Sequence, residues 1–174
     1  MVRFFVRAAA ALTLLVTLSA CYVTAESVIP AERAEKVPGL EGSWQAADGS
    51  QGDVITIVAT SGNDYSMTSN APDAQGEVLL LRGFKLVNDV WVTQMWNEAA
   101  PDEGTIIAFV TVQNGTISLL TTISDQQAMA QQAGVTLGED NIEVTGGPMQ
   151  ILAFLELHND AQFTPPQPML ARVN

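Results

Sequence analysis

The segment TIIAFVTVQNGTISLLTTI, Thr105 to Ile123, decides the fold. Two runs rich in β-branched residues, Thr105 to Val112 and Thr116 to Ile123, flank Gln113-Asn114-Gly115. An Asn-Gly pair suits the positive φ angles of a tight two-residue turn, so the segment reads as a β-hairpin. Both of its strands carry apolar residues on both faces. Such strands fit a sheet covered on both sides, or one curled into a barrel with something packed outside.

Working upstream, Val90 to Trp96 and Glu77 to Val87 form another strand pair around the Asn88-Asp89 reversal, with the acidic loop Asn97 to Gly104 beyond it. Gly83 inside the longer run marks an expected bend or bulge. Tyr65 to Ser69, Val54 to Thr60 and the run opened by Gly42-Ser43-Trp44 complete seven strands, separated by turn residues. Short loops between sequential strands make them antiparallel neighbours. Downstream, Ser124 is the expected N-cap of a helix from Asp125 to Ala133 that ends at Gly134. After a short Ile142-Glu143-Val144 strand, Pro148 opens a second helix, apolar around most of its girth through Met149, Leu152, Phe154, Leu155 and Leu157. The expected fold is therefore mainly β: an antiparallel meander of seven or eight strands in a strongly curved sheet or partial barrel, with two C-terminal helices covering the sheet or plugging the barrel end.

The flanks read differently. Residues 41–158 form the expected single domain, residues 21–40 a polar tether broken by Pro30, Pro38 and Gly39, and residues 159–174 a proline-rich tail, extended or disordered, around Pro165-Pro166-Gln167-Pro168. Residues 1–20 have the layout of an export leader: Arg3 and Arg7, then the uncharged run Ala8 to Leu18, then small residues before a cleavage point. From Ala8 to Ala20 the apolar run would make a helix of about 20 Å, too short for a hydrocarbon core of roughly 30 Å. Leu18-Ser19-Ala20-Cys21 resembles the lipobox of bacterial lipoproteins. That resemblance implies cleavage before Cys21, a diacylglycerol thioether on its sulfur and an acylated amino terminus. The absence of aspartate at Tyr22 points to the outer membrane, facing the periplasm.

Composition narrows the function classes. Removal of Arg3 and Arg7 with the leader takes the formal charge from −12 to −14. A surface that acidic repels phosphate backbones and anionic headgroups, which argues against nucleic-acid partners. Cys21 is the only cysteine, so once it is lipidated no disulfide, zinc–thiolate site or cysteine nucleophile is available. There is no metal-spaced histidine pair, nucleophile elbow or phosphate-binding glycine loop. His158 reads as a cation at a helix C-terminus, and the acid pairs Asp48 with Asp53, Asp102 with Glu103, and Glu139-Asp140 with Glu143 as solvated turns rather than calcium loops. No cofactor or metal is expected.

Gly42-Ser43-Trp44 resembles the Gly-x-Trp of lipocalins, whose tryptophan closes one end of an up-and-down barrel. A lipocalin has its helix after eight strands and an arginine from a late strand paired with that tryptophan. Here Arg82 lies mid-chain and Arg172 in the tail, and neither clearly matches. Six residues are candidate ligand contacts. Trp91, Trp96, Met95 and Phe109, on adjacent expected strands, and Trp44 are large side chains able to wall an apolar pocket, and Arg82, on an otherwise apolar strand face, suits a carboxylate or phosphate. Plain core, and pairing of Arg82 with one of the 19 acids, are the simpler roles for these residues.

The leading expectation is a lipid-anchored, non-enzymatic envelope protein that binds another protein through a sheet edge, the helix-covered face or the mobile tail. The alternative is a carrier or sensor of a small apolar ligand. A carboxylate-based hydrolase is the third reading, since two acids suffice when a fold holds them about 5 to 10 Å apart.

Overall fold

A computed structural model describes residues 21–48, 52–72 and 74–173. The leader, on which the export reading rests, lies outside the described residues. The chain folds into a closed antiparallel barrel of eight strands with one extra strand on its wall. The extra strand is β1 (Cys21–Thr24). The barrel strands are β2 (Gly42–Ala46), β3 (Ile55–Ala59), β4 (Tyr65–Ser69), β5 (Leu79–Val87), β6 (Val90–Asn97), β7 (Thr105–Gln113) and β8 (Thr116–Leu120). Two two-residue strands, β9 (Thr136–Leu137) and β10 (Val144–Thr145), pair with each other outside the barrel, and the last barrel strand is β11 (Gln167–Arg172). The helices are α1 (Gln126–Ala133) and α2 (Pro148–Glu156), with a 3-10 turn over Leu157–Asp160.

From β2 to β8 the barrel is the meander that the short loops dictate. The hairpin that decides the fold pairs Gln113 with Thr116 across Asn114 (φ 50°) and Gly115 (φ 72°), two positive values as a type I′ turn requires. Closure comes from the tail. β11 inserts between β8 and β2, pairing Ala171 with Thr116 on one side and Gln45 on the other. The tail is thus the eighth barrel strand rather than a loose terminus. One edge of β7 serves two partners: β8 pairs over Phe109–Gln113 and β1 over Thr105–Ala108, so β1 takes up the edge that β8 leaves.

Closure divides each strand's side chains between two cores, which is why so many strands are apolar on both faces. Trp44, Ile57, Tyr65, Trp91 and Ile117 pack inside the barrel. Phe84, Val92, Ile107 and Phe109 point outward and are covered by Tyr22, Val28 and Ile29 and by Ile151, Leu152, Phe154 and Leu155 of α2. The second helix therefore packs on the outer wall. Ser124 is not the cap of α1: Asp125 accepts the Ala128 N–H at 3.0 Å, one residue later than expected, and Gly134 ends the helix at φ 73°.

Residues 21–40 do not form a tether. Tyr22, Val28, Ile29, Ala34, Val37 and Leu40 are buried, and the segment wraps the barrel from the outer wall to one end. Its fastening is Gln94, itself wholly buried on β6. The Gln94 Oε1 accepts the N–H groups of Val28 (2.9 Å) and Ile29 (2.8 Å), while Nε2 donates to Ser27 Oγ (2.5 Å) and the Ile29 carbonyl (3.2 Å). The segment then bonds the β5 wall through Glu35 N–H to the Gly83 carbonyl at 2.8 Å. Gly83 is not the bulge, which falls between Lys85 and Val87. A β-carbon at Gly83 would meet Val37 Cγ2 at 3.1 Å, so glycine is there to let the wrapping segment approach.

Candidate binding site

At the end where β2 begins and β11 finishes, the barrel is shut. Trp44 has no exposed surface, and its indole N–H donates to the Leu40 carbonyl at 2.9 Å. The Arg172 guanidinium carbon lies 5.1 Å from the centre of the Trp44 ring, and Nη2 donates to the carbonyls of Gly39 (2.8 Å) and Glu41 (2.6 Å). The geometry also accounts for the glycine before this tryptophan. Gly42 has φ 141°, a conformation that L side chains rarely adopt, and a β-carbon there would come to 3.4 Å from the guanidinium. Tyr65 completes the seal by accepting the Val37 N–H at 2.8 Å. This end is a stitched floor.

Above the floor the alternating inward positions leave a cavity of about 90 Å³. Its floor is Leu40 and its walls are almost wholly apolar, with Ile57, Leu81 and Val110 among the buried residues and Thr93 the one polar side chain. Toward the opposite end stand three half-buried methionines, Met67 in the middle of β4, Met95 near the end of β6 and Met169 in the first half of β11. An eight-stranded barrel is just wide enough either to be filled by side chains or to hold one small ligand. Methionine is the apolar side chain best able to do both, because it is unbranched and turns about three bonds.

Of the residues singled out from the sequence, Met95 lines this cavity and the other five do not. Trp44 and Trp91 point inward but belong to the packed inner core beside it. Trp96 and Phe109 have the opposite alternation and lie outside the barrel; Phe109 packs against Phe163 and His158, with ring centres 5.3 and 4.7 Å away. Arg82 is also outside, where its guanidinium grips both oxygens of Asp64 at 2.7 Å, donates to the Ile29 carbonyl at 2.8 Å and lies over the Trp96 ring. All of these contacts are made within the fold. Size alone does not mark the wall residues: the period-two alternation of β6 turns Trp91, Thr93 and Met95 inward and Val92, Gln94 and Trp96 outward.

His158 is likewise not an exposed cation. It is fully buried, its Nδ1–H donating to the Phe154 carbonyl at 3.0 Å. Because a carbonyl only accepts, Nδ1 carries a proton; in the neutral ring, which burial favours, Nε2 is then bare and accepts from the Tyr22 hydroxyl across 3.1 Å. Burial pushes its pKa below the ordinary value. Among the described residues, no three His, Cys, Asp or Glu side chains come together as metal ligands, and no helix is long and apolar enough to cross a membrane.

Comparison with family models, with curated proteins and with solved structures finds no match to this chain.

Proposed function

We propose that this protein is a non-enzymatic binding module that holds a slender apolar ligand, such as one acyl chain, inside its barrel. The observation that carries the reading is a closed barrel with a sealed floor and an apolar, methionine-lined space left above it. At about 90 Å³ the space is smaller than the roughly 300–1,000 Å³ typical of ligand pockets, so entry requires the methionines to swing aside. The lipocalin resemblance of Gly42-Ser43-Trp44 supports the same reading, since Arg172 on the last barrel strand stacks on that tryptophan. The chain departs from that pattern in placing its helices before the eighth strand. A protein-binding role is less well supported: the loose tail it would use is β11, which is paired on both sides within the barrel.

The envelope location is part of the proposal and rests on Leu18 to Cys21 as a sequence pattern. The fold sets a condition on it. Cys21 lies opposite Ala108 on β7 and packs against the inner core, so a diacylglycerol on its sulfur requires β1 to leave β7.

Native mass spectrometry tests the binding role. The Cys21→Ser chain, stripped of lipid and incubated with oleic acid, is expected to carry one oleate that is lost on denaturation. A bare mass under those conditions would overturn the reading.

A further inference from the structure

β1 is fastened separately from the rest of the wrapping segment. Cys21 to Thr24 pair with Thr105 to Ala108 of β7, and Val23 N–H donates to the Ile142 carbonyl at 2.8 Å. Among the described residues one side-chain bond ties β1 to another element, from the Tyr22 hydroxyl to His158. Three exposed residues follow, Ala25, Glu26 and Ser27, and then the buried pair Val28 and Ile29. The bonds that hold the remainder, from Gln94 to Val28 and Ile29, from Gly83 to Glu35 and from Tyr65 to Val37, all lie beyond this exposed stretch. β1 can therefore leave β7 without undoing them.

The Tyr22 bond does not tolerate a second proton on His158. Nδ1–H is spent on the Phe154 carbonyl, so an added proton goes to Nε2, which then becomes a donor facing the hydroxyl that donated to it. The cation would be enclosed by Tyr22 from β1, Phe109 from β7 and Phe154 from its own helix, with ring centres 5.9, 4.7 and 5.1 Å away. No counter-charge faces it among the described residues. β5, which also packs against the 3-10 turn, presents Phe84, Leu86 and an Arg82 already held by Asp64, while Lys85 alternates to the opposite face and is exposed. On its own turn, Glu156 is paired with Arg33 and Asp160 is exposed. An unpaired charge in such a site is costly, and burial already holds the ring below its ordinary pKa. Undocking β1 takes away Tyr22, the side chain over Nε2, and lets water reach the charge.

We infer that β1 is a pH-released latch: protonation of His158 breaks the Tyr22 bond and frees Cys21 to Glu26, while Gln94 keeps residues 28–40 wrapped on an intact barrel. The freed residues reach roughly 20–22 Å when extended. Their release is also the state that the lipid-anchor reading requires, since a diacylglycerol on Cys21 cannot stay opposite Ala108. The latch itself depends neither on that reading nor on what the barrel binds.

Backbone nitrogen-15 relaxation of the Cys21→Ser chain at pH 7.5 and pH 5.0 tests the inference. Order parameters for Tyr22 to Thr24 are expected at about 0.85, the rigid range, at the higher pH and below about 0.6 at the lower, while Val28, Ile29 and the β7–β8 hairpin stay rigid at both. His158→Gln, which cannot take the proton, should keep β1 ordered at pH 5.0. Tyr22→Phe, which keeps the ring and removes only the hydroxyl, should move the midpoint of release to higher pH. An ordered β1 at both pH values, the same loss of order in His158→Gln, an unmoved midpoint in Tyr22→Phe, or loss of order at Val28 and Ile29 together with β1 would each overturn the latch.

Discussion

The guanidinium of Arg172, on the last barrel strand, lies 5.1 Å from the ring centre of Trp44 on the first. The contact joins the last barrel strand to the first at the point where the barrel closes. Together with the two carbonyls that Arg172 holds, it makes the sealed floor depend on the chain's final segment.

Replacing Arg172 with alanine should therefore cost about 1–3 kcal/mol, the range for losing two charge-assisted hydrogen bonds and a cation–π contact at a partly solvated site. Arg172→Lys should recover only part of it, because an ammonium cannot stack flat on the indole while reaching both carbonyls. Urea unfolding followed by tryptophan fluorescence measures both.

Gln94→Leu should destabilise more, by about 2–4 kcal/mol. It leaves the N–H groups of Val28 and Ile29 buried without an acceptor. Limited proteolysis should then cut first within residues 25–36, whereas the parent chain resists there. Cleavage elsewhere would show that Gln94 is not the fastening of the wrapping segment.

His158 gives the fold a pH dependence of definite sign. The folded state holds the ring neutral with a depressed pKa, while the unfolded chain protonates near 6.5. Between the two values the unfolded state binds more protons, so stability is full above about pH 6.5 and falls as the pH drops toward the folded value. Denaturant midpoints compared at pH 7.5 and 5.5 should show this loss, and His158→Gln, which does not titrate, should show less of it.

Cys21 reports on the docking of β1. In unlipidated protein, burial pushes its thiol pKa up to about 11, so the thiolate is scarce at pH 8. Iodoacetamide should modify the native protein at least tenfold more slowly than the urea-unfolded chain. Equal rates would show β1 detached from β7.

Much of this architecture was legible in the sequence. The Asn114-Gly115 turn and the runs around it identify the meander, and Pro148 and Gly134 mark helix ends correctly. The eighth strand was hidden by its prolines. Pro168 has no N–H to donate, which argues against a central strand, yet it pairs only with β8; β2 joins from Leu170 onward, past an irregularity in the ladder. The wrapping segment was hidden because its buried residues are scattered among charges, and its partner Gln94 is distant in sequence. Arg172 reaches Trp44 only because the tail pairs as a strand with β2. Of the cavity's methionines Met95 was legible, whereas Met67 and Met169 come beside it only when the sheet closes.

The central claim is that the space above Trp44 takes an apolar chain. Its most direct measurement is a fluorescence titration with cis-parinaric acid, comparing the Cys21→Ser chain with the same chain carrying Ala108→Phe. Ala108 lines the cavity, and the larger ring fills it from the wall. Saturable enhancement in the first protein, lost in the second while its circular dichroism is unchanged, is the predicted result. Equal enhancement in both folded proteins would place the probe outside the barrel and contradict the account.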